Sequence, residues 1–303
     1  MILPGYEPRS ATIPAKIDYE LSLEYQLEKV IWCAEKFSTR LREDRHSNDL
    51  ENESYFLFDT LINNIATLTE YYFSNVIYSL IGTILDKPQK IEFRGFDNSN
   101  YIHKKNDIFK RFKIGELTKG SDVEKKTYLN RCSEHFDKYL EFIISGRYDI
   151  LYEINNYIKH NARLRGFWLK SGSSKDEFIK YHFLRFTADN EFLFKDKIIK
   201  GLLSIDYDEA IQDNFELVLK NRKYNPVKKY GSFVFFANDD VVYVRGPKGA
   251  GLTSNSIVKK SYQLCLEIIN TLIASKTGQI TVLEKLNSFK EVIERENNKL
   301  PLI

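Results

Sequence analysis

Residues 147–170 read RYDILYEINNYIKHNARLRGFWLK, and the fold of the chain turns on whether this stretch is helical. At about 100° per residue, Ile150, Leu151, Ile154, Tyr157, Ile158 and Ala162 gather on one side, and Glu153, Asn156, Lys159, His160 and Arg163 on the other. The apolar side predicts burial against neighbouring helices. The polar side is more than a solvated mixture, because it sets the His160 imidazole one turn beyond the Asn156 carboxamide, with Lys159 and Arg163 beside both. A neutral imidazole takes a proton from a hydroxyl near neutral pH, and adjacent cations hold a phosphate. That combination suits cutting RNA through its own 2′-hydroxyl without a metal. A surface histidine at a helix end, favoured there by the macrodipole, gives the same pattern with no function attached.

Upstream of this stretch the apolar spacing predicts three further helices. Residues 123–144 carry Tyr128, Leu129, Cys132, Phe136, Tyr139, Leu140 and Ile143, and Ser145-Gly146 ends them. Residues 54–85 carry Leu61, Ile65, Leu68, Tyr72 and Val76 on an apolar face broad enough for a central position, and Pro88 ends them. Asp59, Asn63, Asn64 and Glu70 rule this helix out as a membrane span. Residues 17–45 repeat Leu23, Leu27, Ile31, Ala34, Phe37 and Leu41 at steps of three and four. Residues 42–53 are a charged break, and residues 1–16, with Pro4, Pro8 and Pro14, predict an extended arm.

Residues 87–121 change character. KIEFRGF has the composition of a strand, and the following segment sets Lys104, Lys105, Lys110, Arg111 and Lys113 among Tyr101, Phe109 and Phe112. Basic residues interleaved with aromatics suit a single-stranded nucleic acid, which needs charge for its backbone and flat faces for its bases. An amphipathic helix with solvated lysines is the commoner source of that pattern.

Downstream, YHFLRFTADNEFLF (181–194) alternates about an Asp-Asn pair and predicts a hairpin, residues 206–220 predict a short helix, and SFVFFANDDVVYVRG (232–246) predicts a second hairpin. GPKGAGLTSNS (246–256) imitates a phosphate-binding P-loop, but Leu252 stands where the phosphate-holding Lys belongs, so it reads as a flexible loop leading to a helix N-cap at Thr253 or Ser254. Residues 256–275 and 281–298 predict two last helices, the second opened by a Thr281–Glu284 capping box.

Composition narrows the function classes. Net charge is only +3, too small to argue nucleic-acid binding from the total. Cys33, Cys132 and Cys265 stand apart without metal-ligand or redox spacing and predict buried apolar residues in a reducing compartment. His46, His103, His135 and His182 share no metal-ligand spacing either, so no metal or cofactor is expected. The first residues lack a basic region followed by an apolar run, and no stretch is long and apolar enough for a membrane helix. The expectation is a soluble, cytoplasmic chain.

NNYIKHN (155–161) resembles the signature of HEPN domains (higher eukaryotes and prokaryotes nucleotide-binding), helical bundles found among prokaryotic RNase toxins and defence proteins. The family motif is an Arg, usually followed by a polar residue, with a His four to six residues after it. His160 matches the His, Asn156 matches the polar residue, and Lys159 precedes the His as in many members. The Arg has no match, since Asn155, Ile154 and Glu153 occupy the three positions open to it. The resemblance implies a mainly α, HEPN-like bundle of long helices with inserted β-hairpins. The arm 1–16 would be followed by one domain, 17–303, with a mixed α/β insertion at about 166–252.

Two functions follow from it. One is a metal-independent endoribonuclease of toxin or antiviral-defence type, acting as a homodimer with His160 as general base. Asn156 and Lys159 would be the other catalytic residues, and Arg163 and Arg165, with Lys104, Lys105, Lys110 and Arg111, would bind RNA. The other is a non-catalytic module that binds RNA, a nucleotide or a protein, such as an antitoxin or a defence-system partner. No membrane partner is implied.

Overall fold

In the computed structural model the described residues are 19–43, 51–81, 98–116, 120–160, 166–171, 179–186, 225–230, 233–238, 241–246, 249–275 and 280–300. The chain is mainly helical. Helix α1 spans Tyr19–Glu43 and α2 spans Glu51–Ile81. Leu23, Leu27, Val30, Cys33, Ala34 and Phe37 put one face of α1 into the core, where each is 3% exposed or less. The two helices pair antiparallel, and a small polar network fixes their register. Gln26 Nε2 donates to the Asn64 carbonyl at 2.8 Å and to its Oδ1 at 2.9 Å, while Asn64 Nδ2 donates to Cys33 Sγ at 3.4 Å. A slip of one turn would leave these buried groups unpaired.

Helix α2 has the broadest buried face, from Phe58 to Ile77, and it is packed by α1 and by three later helices. These are α4 (Asp122–Tyr139), α6 (Asp149–His160) and α7 (Ser254–Ser275). The short α3 (Tyr101–Arg111) lies on α4, and α8 (Ile280–Lys299) lies on α1 and α7. Lys285 of α8 holds Glu24 and Glu28, and Arg295 holds Glu35, so α8 runs parallel to α1.

The helix expected over 123–144 is broken. Leu140 leaves the helical region at φ −114° and ψ 23°, and a separate turn, α5 (Glu141–Ile144), follows. Leu140, Phe142 and Ile143, on and after the break, are all buried in the core. Gly146, at φ 73°, then turns the chain into α6.

Six strands form one antiparallel sheet in the order β1-β2-β6-β5-β4-β3. They are β1 (Gly166–Ser171), β2 (Ile179–Phe186), β3 (Asn225–Tyr230), β4 (Phe233–Asn238), β5 (Val241–Gly246) and β6 (Gly249–Thr253). The stretch 147–170 therefore divides, helical to His160 and extended from Gly166. The β4–β5 hairpin expected over 232–246 closes at the Asn238–Val241 pair. Strand β2 pairs with β1 and β6; residues 187–194, the rest of the hairpin expected there, lie outside the described residues. So do the arm 1–16, the KIEFRGF segment and the helix expected at 206–220.

The glycine-rich segment is not a flexible loop. Gly249–Thr253 is a strand hydrogen-bonded on both sides, Leu252 opposite Tyr243 on β5 and Leu184 on β2. Pairing on two edges supplies the backbone partners that its composition does not advertise. It runs straight into α7, whose first turn is capped by Thr253 Oγ1 accepting from Ser256 N–H at 3.2 Å. The capping box expected at Thr281 is not the start of α8, which begins one residue earlier at Ile280. Helix α7 touches β2, β5 and β6 on one side and α2 and α8 on the other, so one core runs from the bundle into the sheet. Among the described residues no helix is long and apolar enough to cross a membrane.

Candidate functional site

The residues singled out in the sequence sit on two different helices. On α6, Leu151, Ile154 and Asn155 are buried, Asn156 is half-buried and Lys159 is exposed, and His160 is the last helical residue. Asn156 and His160 stand one turn apart on the same side of the helix. Arg163 and Arg165 lie outside the described residues.

The buried face of α6 is not purely apolar. Tyr148, just before α6, and Tyr152, Asn155 and Lys159 on it follow at steps of four, three and four, a stripe that runs from the buried Tyr148 to the exposed Lys159. Thr69 and Glu70 of α2 lie along it. Burial pushes the Glu70 carboxyl above its usual range, and the nearby Lys159 ammonium pulls it part of the way back. Burial also drives the Tyr148 phenol far above its ordinary value, helped by the charge of Glu70 and offset by a hydrogen bond with Thr69. The Asn155 side chain is 3% exposed and its Oδ1 has no hydrogen-bond partner.

Of this cluster only Lys159 is in the site proposed from sequence; Thr69, Glu70, Tyr148, Tyr152 and Asn155 are additions. A signal for Glu70 was present, because it is the only charged residue in the stretch 60–81 of α2.

The basic segment on α3 does different work. Lys105 is 7% exposed and its ammonium is held by both Asp137 oxygens, at 2.7 and 2.8 Å, and by Ser133 Oγ at 3.0 Å. It is therefore an anchor between α3 and α4 and presents no free charge to RNA. Tyr101 donates to Asp137 at 2.6 Å, and burial with that carboxylate raises its phenol far above the usual value. Tyr101 and Phe112 are core residues, and Phe109 packs edge-on against Phe136 at 5.5 Å. The aromatics interleaved with the lysines are thus used inward. Lys110 and Arg111 are exposed and Lys104 is half-buried.

A second polar recess, about 370 Å³, lies between α2, α4, α5 and α7. Arg147 spans it, donating to Glu267 at 2.5 Å and to Glu141, while Tyr72 donates to the Tyr139 carbonyl at 3.0 Å. Its two cations, Arg147 and Lys138, are balanced by its two carboxylates. The His135 ring lies 4.1 Å from that of Tyr139, and burial followed by Lys138 lowers its pKa.

Among the described residues no group of three or more His, Cys, Asp and Glu side chains is placed to hold a metal ion. Cys33, Cys132 and Cys265 are buried free thiols. Compared with protein-family models, curated proteins and solved structures, the chain matches none.

Proposed function

We propose that the chain is a HEPN-like RNA-binding module whose motif helix lacks the family's cleavage chemistry. The placement of Asn155 carries this reading. Of the three positions open to the family's Arg, Asn155 and Ile154 are 3% and 0% exposed, so a guanidinium at either would be buried away from a phosphate, and the half-buried third holds the acidic Glu153. Lys159 is exposed and offers one cation, without the two-pronged grip of an Arg. Under this reading Asn156, Lys159 and His160 form a polar contact for the strand. A toxin or antiviral-defence setting, with an antitoxin or other protein partner, follows from the same resemblance.

The test is the purified chain with tRNA and a labelled single-stranded RNA in EDTA, wild type beside His160→Ala. The expected result is binding that weakens steeply between about 50 and about 200 mM salt, with no cutting by either protein. Cutting by the wild type that vanishes in His160→Ala would overturn it.

That outcome would establish the second reading, a metal-independent endoribonuclease acting as a homodimer with His160 as base. One observation favours it: the raised Glu70 carboxyl beside Lys159. Cleavage through the 2′-hydroxyl needs a base to remove that proton and an acid to protonate the departing 5′-oxygen, and a carboxyl that holds its proton above the usual range suits the acid. On this reading Glu70→Gln loses cutting along with His160→Ala.

A further inference from the structure

The outward side of α1 carries a row of side chains that the core does not use. Tyr25, Lys29, Trp32 and Lys36 follow at steps of four, three and four, which places them within about 60° of arc. All four are exposed, Tyr25 at 51% and Trp32 at 56%. Two large aromatics on one solvent ridge mark a contact surface better than either would alone. Lys29 lies over Tyr25, its ammonium 4.5 Å from the ring centroid.

Charge decides what the ridge can meet. Three carboxylates of the same helix, Glu24, Glu28 and Glu35, lie on the flank facing α8. There Lys285 binds Glu24 and Glu28, the latter at 2.9 Å, and Arg295 binds Glu35 at 2.6 Å. Lys285 brings one charge against the two of Glu24 and Glu28, and Arg295 one against Glu35, so Lys29 and Lys36 leave the ridge with this flank a small positive excess. On the other flank, where Asn64 meets Gln26 and Cys33, α2 exposes the uncharged Thr60 and Asn63.

The result is a cationic ridge with two flat rings set about 10.5 Å apart along the axis, seven residues at 1.5 Å each. A single-stranded nucleic acid has both complements, a phosphate backbone and free base faces, whereas a duplex hides its faces in the stack. We propose that this ridge binds single-stranded RNA, with bases stacked on Tyr25 and Trp32 and phosphates on Lys29 and Lys36. The proposal rests on the RNA-binding reading above but places a contact on a helix other than α6.

The test is fluorescence anisotropy of the full chain with a labelled, mixed-sequence single-stranded RNA at about 50 and about 200 mM salt. Trp32→Ala weakens binding at least about tenfold, and Trp32→Phe keeps most of it, since any aromatic face stacks. Replacing Lys29 and Lys36 together by Gln lowers the salt slope by about 1.4, two phosphates at about 0.7 each. In a Trp168→Phe background Trp32 is the sole indole of the chain, and RNA quenches its emission. All three sites are exposed, so the melting temperature stays near that of the wild type.

Binding unchanged by every ridge variant overturns the ridge and leaves the RNA-binding reading standing. A wild type that binds no RNA removes both. A Trp32→Ala protein that loses self-association but keeps its RNA affinity overturns the proposal by making the ridge a protein contact.

Discussion

Lys105 and Lys110 stand on the same helix, one buried and one exposed. Lys105 makes three hydrogen bonds to Asp137 and Ser133 from a site that is 7% exposed, so removing its ammonium unties α3 from α4 and leaves the part-exposed Asp137 with its bond from Tyr101. Lys105→Met is expected to cost about 2 kcal/mol, in the range for hydrogen bonds to charged groups. Lys110→Met, at an exposed position, stays within about 0.5 kcal/mol of wild type. Urea melts of the two variants check this, and equal losses would refute it. Glu70 gives a pH prediction. Because its folded pKa is raised, the folded chain holds that proton more tightly than the unfolded chain. Stability therefore falls as pH rises from the ordinary carboxylate range through the raised value. Glu70→Gln has no such proton, so its stability–pH curve lacks that fall; curves that run parallel would dismiss the seam as electrostatically inert. At this scale the sequence shows which residues carry chemistry but not which way they face. Asn155 reads as one more polar residue of the motif, and only its burial against α2 distinguishes it from Asn156.

Helices were legible wherever apolar residues recur at three and four, because that spacing alone produces a buried face. Their ends were less so, and two similar patterns show why. Ser121-Asp122-Val123-Glu124 and Thr281-Val282-Leu283-Glu284 both fit a capping box. The first is formed, with Glu124 N–H donating to Ser121 Oγ at 3.4 Å and Ser121 N–H to the Glu124 carboxylate at 2.7 Å. These contacts hold the Glu124 carboxyl below its usual range. In the second, Thr281 already lies within α8, since the helix starts at Ile280. Ser121→Ala is expected to cost about 1 kcal/mol, and Thr281→Ala under about 0.5 kcal/mol, measured by denaturant unfolding. Equal costs would mean that the local pattern, not the helix boundary, sets the energy. The same limit explains β6 and α5. A Gly-Ala-Gly strand and a break at Leu140 are fixed by what lies beside them, and a local pattern contains no record of that.

The whole molecule is joined through α7. Its first turn is capped from β6, its sides touch β2, β5 and β6, and the rest of it lies on α2 and α8. Phe236 and Tyr243 stack at 5.5 Å in the sheet, while Phe73 meets Phe136 edge-on at 6.1 Å in the bundle. Both Phe236 and Phe73 are fully buried, so each truncation to Ala is expected to cost about 3–5 kcal/mol. If α7 couples the two regions into one cooperative unit, both variants lower the midpoint of a single transition, and far-UV and aromatic signals move together. If sheet and bundle unfold separately, Phe236→Ala brings out an early transition that leaves most of the helical signal in place, and Phe73→Ala brings out a different one. The shared core, continuous from Leu27 and Phe73 through Val258 to Leu252 and Phe236, favours the first outcome, because neither half can open at α7 without exposing apolar surface of the other.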